Sequence, residues 1–147
     1  DRLRMCALAA QKYPWLRACS IEIDSPERSY TYRTLQKLKE QFPHEELFFI
    51  MGGDSLDYFD EWCHPEIIAS ICKLLIIPRD NFDAEQLNRK MQALQEQFSC
   101  EIQIISCRKY LISSTELREH LNSGLQPEND IPGEVLSYIY QMHLYGV

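Results

Sequence analysis

Four short apolar runs, Ser20–Asp24, Leu47–Met51, Lys73–Pro78 and Glu101–Ser106, predict β-strands. Two of them, "LFFIM" and "LLII", are apolar without alternation, the pattern of strands covered on both faces in a parallel sheet. Helical spacing fills the intervals. Tyr32, Leu35, Leu38 and Phe42 mark one face of Thr31–Phe42, which stops before Pro43. Leu87, Met91, Leu94 and Phe98 do the same for Ala84–Phe98, and Val135, Ile139 and Met142 for Gly133–His143. Shorter helices are expected at Ser55–Phe59 and Pro65–Ile71, and the opening stretch "RLRMCALAAQKY" reads as a helix. No repeat or low-complexity linker interrupts the pattern, so one domain is expected over residues 1–147.

Strands alternating with helices imply right-handed βαβ crossovers and an α/β, doubly wound parallel sheet. Ligands in such sheets sit beyond the carboxyl ends of the strands. The loops that follow strands are therefore the places to look for chemistry.

Composition narrows the partners. The formal net charge is −7, which opposes binding to nucleic acid or to an anionic membrane surface. A small anionic ligand stays open, because local cations and helix N-termini hold phosphate even on an acidic protein. None of the six cysteines forms a C-x-x-C pair, so a zinc site is not expected and no metal-ligating residue is assigned. They read as buried free thiols of a cytosolic protein. No apolar run reaches membrane-spanning length, and no signal-peptide pattern opens the chain. The chain starts at Asp1 inside a helical pattern, so the front of a longer protein is expected to precede it.

Three loops hold candidate chemistry. In "FIMGGDSL", Gly52 would let backbone approach a ligand, and Asp54, a pure acceptor when ionised, would suit ribose hydroxyls. A tight turn capped by Asp54 or Ser55 is the plain alternative. In "PERSYTYRTL", residues Ser29–Thr31 place polar groups before a helix, as a cap or as a binding edge. Trp62, in "DEWCHPE", either covers core or stacks on a flat ring. In "YLISSTELREHL", Ser113 with Glu116 forms an S-x-x-E capping box. That box leaves Ser114, Thr115 and Arg118 unexplained. Hydroxyls at a helix N-terminus with a guanidinium one turn in make a coherent phosphate site, so cap and anion site both remain open. Arg79 lies at a strand end, and Arg108 and Lys109 precede the serines. The scattered histidines His44, His64, His120 and His143 show no catalytic spacing.

The segments "SYTYRTLQKLKEQFP", "LFFIMGGDSLDYFDEWCHPEII", "LLIIPR", "ISSTELR" and "IPGEVLSYIYQMHLYGV" occur in a specific order. In that order the chain resembles bacterial nicotinate-mononucleotide adenylyltransferase, of the nucleotidylyltransferase superfamily. The resemblance implies a Rossmann-like sheet of the nucleotidylyltransferase type. It also implies transfer of AMP from ATP to nicotinate mononucleotide with Mg²⁺, giving deamido-NAD and pyrophosphate in NAD biosynthesis. Gly52, Asp54, Ile112, Ser113, Ser114, Thr115 and Arg118 would then bind ATP. Tyr30, Thr31, Trp62 and Arg79 would bind nicotinate mononucleotide, Trp62 by stacking on the ring. A cytoplasmic location is implied, and a homo-oligomer is compatible with it. The family's H-x-G-H histidines have no counterpart here, so no catalytic residue is assigned and the first βα unit is absent. The 147 residues match the C-terminal three-quarters of the family domain, and this chain alone is expected to be a poorly active fragment. The alternatives are a non-catalytic nucleotide-binding module and an adenylyltransferase preferring nicotinamide mononucleotide.

Overall fold

The structure, a computed structural model, describes residues 1–78, 83–107, 113–124 and 130–147. They fall into two compact units. The larger spans residues 21–108 and is built on a three-stranded parallel sheet in the order β1-β2-β3. The strands are β1 (Leu47–Gly52), β2 (Cys72–Ile77) and β3 (Ile102–Ile104). The first pair runs in register from Leu47↔Cys72 to Gly52↔Ile77, the second from Leu74↔Ile102 to Ile76↔Ile104. This is the parallel α/β arrangement that the alternation of elements predicts.

α1 (Arg2–Ala10) precedes this unit in the chain; among its described residues the unit holds four α-helices, α2 Thr31–Gln41, α3 Gly53–Asp57, α4 Pro65–Ile71 and α5 Ala84–Phe98. α2 ends at Gln41 with Phe42 as its C-cap, before Pro43. α5 is opened by Asp83, whose Oδ1 accepts the Glu85 and Gln86 N–H groups at 2.9 and 3.3 Å, and is stopped by Ser99 in the left-handed region. Leu35, Leu56, Phe59, Ile68, Leu87 and Leu94 pack on Met51, Leu74, Ile76 and Ile102 to form the core. A fully buried side chain of this size contributes about 1.5–3 kcal/mol. Lys73 Nζ joins Glu46 and Glu101 at 2.8 and 2.9 Å, tying the amino-terminal ends of the strands.

Three expectations are corrected. Residues Ser20–Asp24 are not a strand: Ile21–Ile23 form a turn and Ile23 is exposed. A strand needs a ladder partner, and this segment is tied by side chains to α2 instead. Thr34 Oγ1 donates to Glu22 at 2.6 Å and Lys37 Nζ to Ser25 Oγ at 3.2 Å. The short helix expected at Ser55–Phe59 begins two residues earlier, at Gly53, and a 3-10 turn, Phe59–Glu61, follows it. The expectation of strands covered on both faces also fails for β1, where Phe48 and Ile50 are 47% and 59% exposed. Both crossovers step across the sheet in the same direction. Right-handed crossovers in one direction place their helices on one face, so this unit covers only the face carrying Leu47, Phe49 and Met51.

The smaller unit, residues 1–20 and 109–147, holds α1, α6 (Ser114–Asn122) and α7 (Gly133–Gln141). Its own core is Leu121, Val135, Leu136 and Ile139, with Met5 and Leu8 against it. Tyr138 OH donates to Asp1 Oδ1 at 2.8 Å, and Lys12 pairs with Glu134 at 3.2 Å. α7 stops two residues short of the expected His143, which takes a left-handed conformation. Among the described residues, no helix is long and apolar enough to cross a membrane.

Candidate active site

β1 delivers its carboxyl end directly into α3. Gly52 is the N-cap of α3 and Asp54 lies in its first turn, exposed. Asp54 is therefore not the cap that a plain turn would make of it. Gly52 has φ −76° and ψ 156°, which any residue adopts, and a Cβ there would meet nothing within 4 Å. Neither strain nor packing demands glycine at this position. What its missing side chain does provide is open space against the backbone at a strand's carboxyl end.

A second group forms where the start of α2 meets the start of α4. Tyr30 is the N-cap of α2 without a side-chain cap bond, so the cap reading of Ser29–Thr31 is not realised. Tyr30 stacks on Tyr32 with centroids 6.0 Å apart, and Tyr32 meets the His64 ring edge-on at 4.7 Å. His64 lies two residues after Trp62, so Tyr32 links the start of α2 to the segment that follows the Trp62 turn. The left-handed backbone of His64 (φ 56°) costs a non-glycine residue about 1–2 kcal/mol. Tyr32 and a 2.9 Å contact from Nδ1 to Glu66 hold it in place. That contact holds the Glu66 carboxyl below its ordinary range. Trp62 is half-buried, packed tilted on Phe59 at 5.7 Å and edge-on to Phe49 at 6.0 Å.

Positive charge gathers on the same aromatic pair. The Arg28 and Arg33 guanidiniums lie 5.3 and 5.7 Å from the Tyr30 ring centroid. Arg33 Nε donates to the Tyr32 hydroxyl at 2.9 Å, and Nη1 pairs with Glu27. The Tyr32 hydrogen bond, and then Glu27, raise the Arg33 pKa.

In the smaller unit, α6 opens as its sequence predicts. Ser113 Oγ accepts the Glu116 N–H at 3.1 Å, which makes Ser113 the N-cap. Ser114, Thr115 and Arg118 are exposed on the first turns, and Arg118 Nη2 reaches Thr115 Oγ1 at 3.5 Å. The cap therefore uses one serine and leaves the two following hydroxyls on the surface beside a guanidinium. Arg79, Arg108, Lys109 and Ile112 lie outside the described residues. The contact of Tyr32 with His64 and the bond of Lys90 to Asp60 carry no local sequence signal, since each joins residues of separate elements. Among the described residues, no three His, Cys, Asp or Glu side chains converge to hold a metal.

A family model described as cytidylyltransferase-like matches residues 1–120. A protein of Lachnoclostridium phytofermentans named "Probable nicotinate-nucleotide adenylyltransferase" is 31% identical over 144 residues, 98% of this chain and 72% of that protein. One of the same name from Clostridium botulinum (strain Loch Maree) is 32% identical over 145 residues, with the same coverage of each chain. Among solved structures, Plasmodium falciparum nicotinic acid mononucleotide adenylyltransferase complexed with APC superposes with a TM-score of 0.60 at 25% identity. That match covers 82% of this chain and 60% of the other. The same parasite enzyme complexed with NaAD gives 0.59, covering 58% of its chain.

Proposed function

The chain belongs to the cytidylyltransferase-like family and, within it, to the nicotinate-nucleotide adenylyltransferases, and from that premise we propose that it transfers the adenylyl group of ATP to nicotinate mononucleotide. The products are deamido-NAD and pyrophosphate. The observation that carries this reading is the span of the match, 98% of the chain at 31% identity.

The reaction is a single displacement. A phosphate oxygen of the mononucleotide attacks the α-phosphorus of ATP, a P–O bond forms, and the bond to the β-phosphate bridge breaks to release pyrophosphate. No protein nucleophile takes part, so the protein's contribution is positioning and charge stabilisation. Ser114, Thr115 and Arg118, with the free N–H groups of the α6 first turn, would bind ATP phosphate oxygens. Gly52 would admit the adenosine side close to backbone, and Asp54 would accept from ribose hydroxyls. Ile112 would lie near adenine. Trp62 would stack on the pyridine ring, beside Tyr30 and Thr31, and Arg79 would approach the mononucleotide. Mg²⁺ would enter with ATP, as the counter-ion of its phosphates.

The test is direct. The native gene product is incubated with MgATP and either nicotinate or nicotinamide mononucleotide, and pyrophosphate and dinucleotide are quantified. Formation of deamido-NAD with preference for nicotinate supports the proposal. Preference for nicotinamide mononucleotide would redirect it to that substrate, and ATP binding without any transfer would leave a non-catalytic nucleotide-binding module.

A further inference from the structure

The Trp62 turn is held by two different kinds of contact. Phe59 is completely buried and meets Phe98 of α5 edge-on at 5.9 Å, so it fixes the depth of the turn. Rings in contact still allow the turn to swing. Two of its backbone bonds are local: the Glu61 N–H donates to the Tyr58 carbonyl at 3.0 Å and the Trp62 N–H to the Phe59 carbonyl at 3.1 Å. Beside the ring contacts of Trp62 with Phe59 and Phe49, a side-chain bond from a separate element reaches the turn, Lys90 Nζ to Asp60 Oδ1 at 2.7 Å, across thirty residues of sequence. It is the one ion pair made by residues 58–63 among the described residues.

The placement of Lys90 is unusual for a solubilising lysine. It follows Leu87 by three positions and precedes Leu94 by four, so it belongs to the core-facing stripe of α5. Its side chain is only 23% exposed. A largely covered stem that brings its ammonium to Asp60 is the way a long cationic side chain serves such a position. The pairing holds the Asp60 carboxyl below the ordinary range.

We infer that Lys90, through Asp60, is a positioning residue that sets the orientation of the Trp62 indole for the ring-bearing substrate. This rests on the reading of Trp62 as the pyridine-stacking residue. α5 is the rigid crossover helix between β2 and β3, so the tether references the indole to the sheet. Without it Phe59 keeps the turn docked while the indole loses its angle.

The experiment uses Lys90→Met, Lys90→Arg and Asp60→Asn in the native protein. Steady-state constants are measured for both substrates. Acrylamide quenching of Trp62 is measured with Trp15 replaced by Phe. Lys90→Met should raise KM for nicotinate mononucleotide about three- to tenfold, leave KM for ATP within about twofold, and increase quenching of Trp62. Asp60→Asn should do the same, and Lys90→Arg should restore both readouts. Unchanged quenching, or an equal rise in KM for both substrates, would overturn the inference. If either variant melts too low to assay, the other decides. Increased quenching with no change in mononucleotide KM would keep the tether but remove its role in substrate binding. Should Trp62→Ala itself leave mononucleotide binding intact, the stacking reading fails, and the quenching result still reports on the tether.

Discussion

A half-buried tryptophan with its inner edges on Phe49 and Phe59 has already given part of its surface to the core. What remains is available to a flat ligand, and base or pyridine stacking on such a ring is worth about 1–3 kcal/mol. Trp62→Ala should therefore weaken nicotinate mononucleotide binding about tenfold and ATP binding far less. Calorimetric titration with each substrate checks this, and equal losses would count against stacking. Cys72 supplies a pH prediction. Burial, and secondarily the neighbouring Cys100 thiol, push its pKa from the ordinary 9.0 up to about 11. A folded-state pKa raised above the unfolded one favours the protonated thiol. Its contribution to stability is whole below pH 9 and is lost as pH rises through about 11. Urea midpoints of wild type and Cys72→Ala should converge across that window, and parallel curves would show that the thiol is not the cause. Ser113 was legible as a cap because S-x-x-E is a local signature. Lys90 was not, because its partner lies thirty positions away.

At the scale of the element, α6 separates two roles that its sequence leaves superimposed. Ser113 caps; Ser114 and Thr115 do not. Ser113→Ala should cost about 1 kcal/mol of stability by orphaning an N–H of the first turn. Ser114→Ala should leave stability unchanged and weaken ATP use, and Arg118→Ala should do so more strongly. Thermal melts and KM for ATP distinguish the two outcomes. A stability loss at Ser114, or unchanged ATP kinetics for Arg118→Ala in the native protein, would return the motif to a simple cap. The limits of α4 and α5 were legible to the residue, because Pro65 starts one and Asp83 and Ser99 bracket the other. α3 was misplaced by two residues because glycine at its N-terminus reads as a turn breaker, whereas here Gly52 is its cap and Gly53 its first residue.

For the molecule as a whole, each unit has its own apolar cluster, so stability divides between two cores. Leu74 is completely buried at the centre of β2. Leu74→Ala should cost about 2–5 kcal/mol, read from urea unfolding of the larger unit. A loss under about 1 kcal/mol would mean the strand repacks around the cavity. The outer face of β1, with Phe48 and Ile50, matches a run whose unbroken apolarity predicts cover on both sides. The described residues of the larger unit supply it on one.

Sequence alone determined what depends on neighbours along the chain. Helical spacing and cap chemistry act within one or two turns, and an apolar run declares a buried strand locally. The order of such elements implied the parallel α/β sheet, and the order of five quoted segments implied the family. Tertiary structure decided whatever needs a partner from elsewhere. Residues 20–24 have the composition of a strand but join no ladder among the described residues, and Glu22 and the adjoining Ser25 bond to α2. The contact between Tyr32 and His64, and the bond between Asp60 and Lys90, join segments with no local reason to meet. His64 and Asp60 each lie two positions from Trp62, the tryptophan to which the family resemblance assigns the substrate ring, and only the packing of α2, α4 and α5 supplies their partners.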